Sequence, residues 1–256
     1  MNMPKMSGLW TGTSGLVLPV PNKQAFPAAF RHLPRLSYYA SLLNSIEVNS
    51  SFYRIPMPST FARWRSEVPQ GFAFTVKFWR GITHVPGLTF DTADISRFLA
   101  AADGLAEKKG CLLIQTPPAL TAGASDQLDR MLAAICRLDS RRTWKLAVEF
   151  RNRSWYEENT WRLLLDYQAC LVLHDRPPAA ITNLPAAFTA LPFVYLRFHG
   201  PEGDYRGGYT EPALACWAAR IGEWLAAGKE IYTYFNNTIG DALTDLSRLK
   251  ELVPVP

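Results

Sequence analysis

Eight short runs of strand character, each separated from the next by a helical pattern, constrain this chain more than any other feature. The runs lie at 9–14, 45–52, 72–78, 111–116, 145–151, 170–175, 193–199 and 230–236. Helical stretches follow at 29–43, 58–67, 92–108, 125–138, 155–168, 214–227 and 240–252. Strands that alternate with helices pair in parallel, since each helix carries the chain back across the sheet, and that crossover is right-handed. Eight such units in 256 residues predict one α/β domain over 1–256, a TIM-like (β/α)8 barrel rather than an open sheet. Start signals support the helices: Ser125 precedes one, and Ser154-Trp155-Tyr156-Glu157 reads as a capping box. The Pro- and Ala-rich stretch 176–192 has no helical period, so the sixth helix is expected to be irregular.

Period-two alternation then sorts side chains between the helix layer and the interior. Ile46 and Val48 oppose Glu47 and Asn49; Phe74, Val76 and Phe78 oppose Thr75 and Lys77. Ile114 opposes Gln115, and Val148 and Phe150 oppose Glu149 and Arg151. In the seventh run Leu196 and Phe198 oppose Tyr195, Arg197 and His199. The apolar set must cover the helix interface, so the polar set points inward, late in each strand. That end of a parallel barrel is where its active sites lie. His174 or Asp175 and Asn236 or Asn237 are expected to join them. Buried charges need partners, so these groups either meet in a pocket or neutralise one another as a salt-bridge lattice plugging the barrel.

Composition excludes several classes. The formal charge is +5 and the pI about 9.1, a mild basic excess that suits anionic ligands. Basic residues are scattered without a tract or a recognition motif, which ranks nucleic acid low among partners. The four cysteines form no C-x-x-C pair, arguing against zinc fingers and disulfide scaffolds and for reduced, cytoplasmic thiols. Met1 to Trp10 holds no apolar stretch long enough for a secretory signal, and no later segment approaches a membrane span.

The ordered blocks Gly12-Thr13-Ser14-Gly15, Ser45 to Tyr53, Pro69-Gln70-Gly71-Phe72 and Phe74-Thr75-Val76-Lys77 carry a resemblance. It continues through Trp64, Ile82-Thr83-His84, Gln115-Thr116-Pro117-Pro118, Val148-Glu149-Phe150-Arg151, Ser154-Trp155 and His174-Asp175. Tyr195 to Gly200 and Tyr234-Phe235-Asn236-Asn237 complete it. In these blocks the chain resembles the YecE-like domain of unknown function 72 family. The resemblance implies a TIM barrel and leaves the reaction open. Leu16-Val17-Leu18-Pro19 departs from that family's Trp-rich pattern after the first strand, which implies a different pocket wall.

Three chemistries compete for the strand ends. In the first, Glu47 and Glu149 divide acid and base roles if their surroundings split their pKa values, with His199 transferring protons. Lys77, Arg151 and Arg197 then hold a small phosphorylated or carboxylated ligand, with Asn49, Gln115, Asp175, Tyr205 and Asn236 lining it. In the second, Glu47, His84, Glu149, His174, Asp175 and His199 ligate a metal in a phosphodiesterase-like or isomerase-like barrel. No close ligand spacing supports it, and Lys77 and Arg197 would repel a cation, so neither metal nor cofactor is expected. In the third, Tyr53, Trp64, Trp79, Trp155, Tyr205 and Tyr209 stack on a nucleotide or nucleic acid without catalysis. The glycine-rich loop 200–209 could serve as a lid over any of these sites. Thr13 and Ser14 are candidates to offer hydroxyls to an anion. Ser154 is read as a cap rather than a nucleophile, and His32 as a surface residue in the first helix.

Overall fold

A computed structural model describes residues 8–254. The leader reading rests mostly on residues 1–7 and so falls outside the described residues. The strands are β1 (Leu9–Thr13), β2 (Ser45–Val48), β3 (Ala73–Lys77), β4 (Lys109–Gln115), β5 (Lys145–Glu149), β6 (Cys170–Leu171), β7 (Leu173–His174), β8 (Phe193–Phe198) and β9 (Glu230–Phe235). The sixth predicted strand is thus two short pieces separated by Val172. Every pairing between these strands is parallel, and one isolated antiparallel bridge joins His174 to Ile181. One sheet runs β1-β9-β8-β7 and the other β2-β3-β4-β5-β6.

The expected single closed ladder is therefore corrected to two parallel sheets, and side chains explain the seam between β1 and β2. Thr11 N–H donates to Asn44 Oδ1 (2.8 Å) and Thr13 N–H to the Tyr39 hydroxyl (2.8 Å). Asn44 Nδ2 in turn donates to Leu9 O (2.7 Å). Backbone groups that would pair with β2 are thereby satisfied by side chains instead. One parallel bridge, Ser14 with Glu47, crosses the seam, with Gly15 N–H donating to Glu47 O (2.8 Å). The approach is close: a Cβ on Gly12 would collide with the Ser45 carbonyl oxygen.

Nine helices pack outside the described strands: α1 (Arg35–Leu42), α2 (Ser50–Tyr53), α3 (Pro58–Ser66), α4 (Arg80–Thr83), α5 (Thr92–Ala102), α6 (Ser125–Leu138), α7 (Glu158–Asp166), α8 (Glu211–Ala226) and α9 (Ala242–Leu252). Pro34 delays α1, so His32 lies in an exposed turn rather than a helix. The predicted helix over 92–108 stops at Ala102 and continues as a 3-10 turn broken at Ala106 (φ 49°). Ser125 is the first helical residue of α6 rather than its cap. The capping box also fails: Ser154 lies in a separate 3-10 turn capped by Asn152, and its hydroxyl accepts from Ala122 N–H (2.9 Å). Glu157 is the N-cap of α7 without a side-chain bond. No α-helix forms over 176–192, as expected; a 3-10 turn at Ala186–Ala190 stands in its place.

Side chains from both sheets meet in a buried interior layer. Ser45 Oγ and Thr75 Oγ1 lie 2.6 and 2.8 Å from the Tyr234 hydroxyl, whose ring sits 5.3 Å from that of Tyr195. These polar groups satisfy one another, so the layer tolerates burial. Above it, toward the strand ends, the charged residues begin.

Candidate functional site at the strand ends

Glu47 on β2 is fully buried, and four donor atoms from three residues meet it. Ser14 Oγ donates to Oε1 (2.7 Å) and the Tyr195 hydroxyl to Oε2 (2.6 Å). Arg197 on β8 adds Nη2 to Oε1 (2.7 Å) and Nε to Oε2 (2.9 Å), a bidentate fork that only a planar guanidinium makes. Burial pushes the Glu47 carboxyl up, but Arg197, Tyr195 and Ser14 together outweigh it and hold the group below its ordinary 4.5.

Arg197 reaches a second carboxylate on that same opposite sheet. Its Nη1 donates to Glu149 Oε2 (2.6 Å) at the end of β5. Arg151, two residues later, pairs through Nη2 with Glu149 Oε1. Burial again raises the Glu149 carboxyl, yet Arg151 and Arg197 pull it well below the usual range. The expected split between the two glutamates is therefore absent: both are held ionised.

His199, just past β8, is completely buried and faces two guanidinium groups. Its Nε2 lies 2.9 Å from Arg151 Nη2 and 3.3 Å from Arg197 Nη1. Guanidinium groups only donate, so Nε2 must carry the lone pair and Nδ1 the proton. That proton points to Asp175 Oδ1 (3.2 Å), which also accepts from His199 N–H (2.8 Å). Burial lowers the imidazole to about 4 despite Asp175, leaving it neutral at pH 7. The other Asp175 oxygen accepts from the Tyr209 hydroxyl, which accepts from Gly200 N–H (2.7 Å).

Lys77 ends β3 on the rim of this cluster, half-buried. Its Nζ donates to Gln115 Oε1 (2.8 Å) and rests 4.2 Å from the Phe52 ring centre. Among the described residues no carboxylate lies within ion-pair distance of it, unlike Arg151 and Arg197. Burial and then Arg197 push the ammonium down to about 8, against the opposing pull of Glu149 and Glu47. His84 lies beyond Gln115, with their Nε2 atoms 3.5 Å apart; burial and then Lys77 lower it to about 4. Among the described residues four buried polar atoms at these strand ends make no hydrogen bond: Arg151 Nη1, Asn49 Oδ1, Asn237 Oδ1 and Glu149 Oε1, the last held only by its ion pair with Arg151 Nη2.

The fold thus joins Glu47, Glu149, Arg151, Asp175, Arg197 and His199 in one bonded network, with Lys77 and Gln115 beside it. Tyr205 reaches it through its ring, 5.8 Å from that of His199. Asn49 and Asn236 are half-buried without a side-chain bond to the network. Asn237 is structural, tying Asp245 (2.7 Å) to the Gly207 carbonyl (2.9 Å). His174 turns to Phe150 O and the Tyr156 hydroxyl, both 3.1 Å away. Thr13 and Ser14 spend their hydroxyls on Gly15 O and Glu47, so neither is offered to an anion. Trp155 is core, stacked on Phe150 at 4.6 Å, while Tyr53 is exposed. No group of three or more His, Cys, Asp or Glu side chains is gathered to hold a metal among the described residues. Tyr195 and Ser14 were missed as Glu47 partners; Tyr195 was legible in the alternation of β8, whereas Ser14 depends on the β1–β2 seam.

A family model described as a protein of unknown function, DUF72, matches residues 10–255. The chain belongs to the DUF72 family. The UPF0759 protein YunF of Bacillus subtilis is 26% identical over 261 residues, covering 90% of each chain. UPF0759 protein YecE of Escherichia coli is 32% identical over 82 residues, 32% of this chain and 30% of that one. The crystal structure of a DUF72 family protein from Enterococcus faecalis superimposes with a TM-score of 0.75 at 22% identity, covering 96% and 95% of the two chains. The α/β fold is shared with that DUF72 structure. No helix of the described residues is long and apolar enough to cross a membrane.

Proposed function

We propose that this DUF72 chain is an enzyme acting on a small carboxylated or phosphorylated molecule bound at the strand ends. The observation that carries the reading is a pair of cationic side chains with donors to spare: Arg151 Nη1 has no hydrogen-bond partner, and Lys77 Nζ bonds to the neutral Gln115 and to no carboxylate. A buried guanidinium N–H left unmade costs roughly 1–3 kcal/mol, which an anionic ligand would recover. In this reading the two sheets act as one TIM-like barrel closed by the Ser14–Glu47 bridge and the short step across Val172.

The acid–base roles follow from which groups are free to titrate. Glu47 is saturated by donors and serves to fix Arg197; Glu149 stays ionised beside the ligand and orients Arg151. His199 is a neutral acceptor that aligns both guanidinium groups. Lys77, pushed down to about 8, is the group whose proton is exchangeable near neutrality, as acid–base catalysis requires. The free thiols of Cys111, Cys136, Cys170 and Cys216 support a reducing, cytoplasmic setting.

Calorimetric titration of the full chain with inorganic phosphate and with succinate at pH 7 tests the reading. Binding of at least one is expected, and Lys77→Met should weaken it about tenfold or more, some 1.4 kcal/mol. Affinity untouched by that substitution, or no anion bound at millimolar concentration, would remove the reading.

A further inference from the structure

We infer that Lys77 is a covalent nucleophile, forming an imine with a small aldehyde or ketone that also carries a carboxylate or phosphate. The inference rests on the anion-site reading and names the substrate's reacting group. Three features of the geometry carry it. Lys77 Nζ is fixed beside the charged cluster by Gln115 Oε1 at 2.8 Å and by the Phe52 ring. Its ammonium has no carboxylate to hold the proton, while the neighbouring arginines both have one. A lysine used only to bind an anion would gain from keeping its full charge; this one is half-buried, with no carboxylate in ion-pair distance. Finally, Arg151 Nη1 is an unpaired donor in a side chain only 8% exposed, available to hold the anionic end of the same substrate.

Charged groups reach Lys77 from every side of the site. Arg197 on β8 and Arg151 after β5 push its proton off; Glu149 on β5 and Glu47 on β2 oppose them, and burial decides the direction. His84, at the end of α4, is neutral and lies next to Gln115. A desolvated lysine beside other cations is the recognised setting for amine nucleophiles. With its pKa at about 8, roughly a tenth of Lys77 is free amine at pH 7.

The step balances. Lys77 ammonium first gives one proton to solvent, and the Nζ lone pair attacks the carbonyl carbon as the C=O π pair moves to oxygen. Proton transfer from nitrogen to that oxygen gives a neutral carbinolamine. The hydroxyl takes up a proton and leaves as water, the nitrogen lone pair forming the C=N bond of the iminium. Overall, ammonium and carbonyl become iminium and one water, without oxidant or reductant.

Reductive trapping of the full-length wild-type chain tests this directly. The protein is incubated with cyanoborohydride and pyruvate in one arm, or glycolaldehyde phosphate in the other, and its lysines are mapped by peptide mass spectrometry. Lys77 should be labelled at pH 7 at least tenfold faster than exposed Lys23, with a rate rising to a plateau above about pH 8. Inorganic phosphate should protect Lys77 and leave Lys23 labelling unchanged. Preference between the two arms identifies the carboxylate or the phosphate as the natural anchor, and either supports the imine. Labelling of Lys77 no faster than Lys23, in a protein that binds phosphate by calorimetry, overturns the imine and leaves the anion site standing. No labelling preference and no phosphate binding overturns both.

Discussion

Arg197 holds the charge balance of the site in one side chain, since among the described residues it alone pairs with both buried glutamates. Arg197→Met would leave Glu47 and much of Glu149 uncompensated in the interior, and should cost about 3–5 kcal/mol in urea denaturation. A loss below about 1 kcal/mol would mean that water or a repacked partner supports the carboxylates. Lys77 predicts the opposite sign. Its folded pKa lies below the ordinary 10.5, so the folded chain carries a penalty for holding the proton. That penalty is complete below pH 8 and vanishes as pH rises past 10.5. Lys77→Met should therefore stabilise the protein at pH 7 by about 1–2 kcal/mol while removing anion binding, the trade expected of a functional residue. If the variant is less stable at pH 7, the lysine's role is structural. Inward placement of Glu47, Glu149 and Arg197 was legible from alternation alone. The state of His199 was not, because it depends on Arg151 and Asp175, which arrive from other strands.

At the scale of elements, the seam between β1 and β2 and the loop after β8 decide the shape of the site. Gly12 permits the seam: a Cβ there would meet the Ser45 backbone, which cannot move aside as a side chain can. Gly12→Ala should cost about 1–3 kcal/mol and speed hydrogen exchange at Gly15 N–H, which bonds to Glu47 O. Exchange that stays wild-type would show the seam to be tolerant. The loop 200–209 is tied down at Tyr205 N to His199 O (2.7 Å), Asp241 N to Gly207 O (3.2 Å) and Gly200 N to the Tyr209 hydroxyl. Tyr209→Phe removes the last of these along with its bond to Asp175, and should hasten proteolysis within 200–208. An unchanged cleavage rate would assign the loop's order to its other bonds. The sequence periods located these elements to within a few residues, but not their endings. Pro34 shortened α1, and the Asn152 cap turned the apparent box at Ser154 into a separate turn. Local capping signals do not register whether a distant backbone, here Ala122 N–H, takes the hydroxyl.

Across the whole molecule, two sets of desolvated groups make acid destabilising in successive windows. His199 and His84 sit at about 4, below their ordinary 6.5, so the unfolded chain binds more protons below pH 6.5 and stability falls with pH from there. Glu47 and Glu149 lie below 4.5, and their contribution is present above that value and lost as pH falls through their folded pKa values. Urea denaturation from pH 8 to pH 4 should show a decline beginning near 6.5 and steepening near 4.5; a flat profile to pH 5 would contradict the buried neutral histidines. The α/β class was legible from periodicity, because eight alternations leave few other arrangements. The division into two sheets was not, since Asn44 and Tyr39 compete for the β1 backbone only once the strands are side by side.

The anion site proposed at the free faces of Arg151 and Lys77 would hold a tetrahedral oxyanion at the strand ends. Crystals soaked with selenate at pH 7 and measured at the selenium edge test it most directly. An anomalous peak is expected within hydrogen-bond distance of Arg151 Nη1 and Lys77 Nζ. Selenate bound only at exposed arginines, with the strand ends empty, would contradict it.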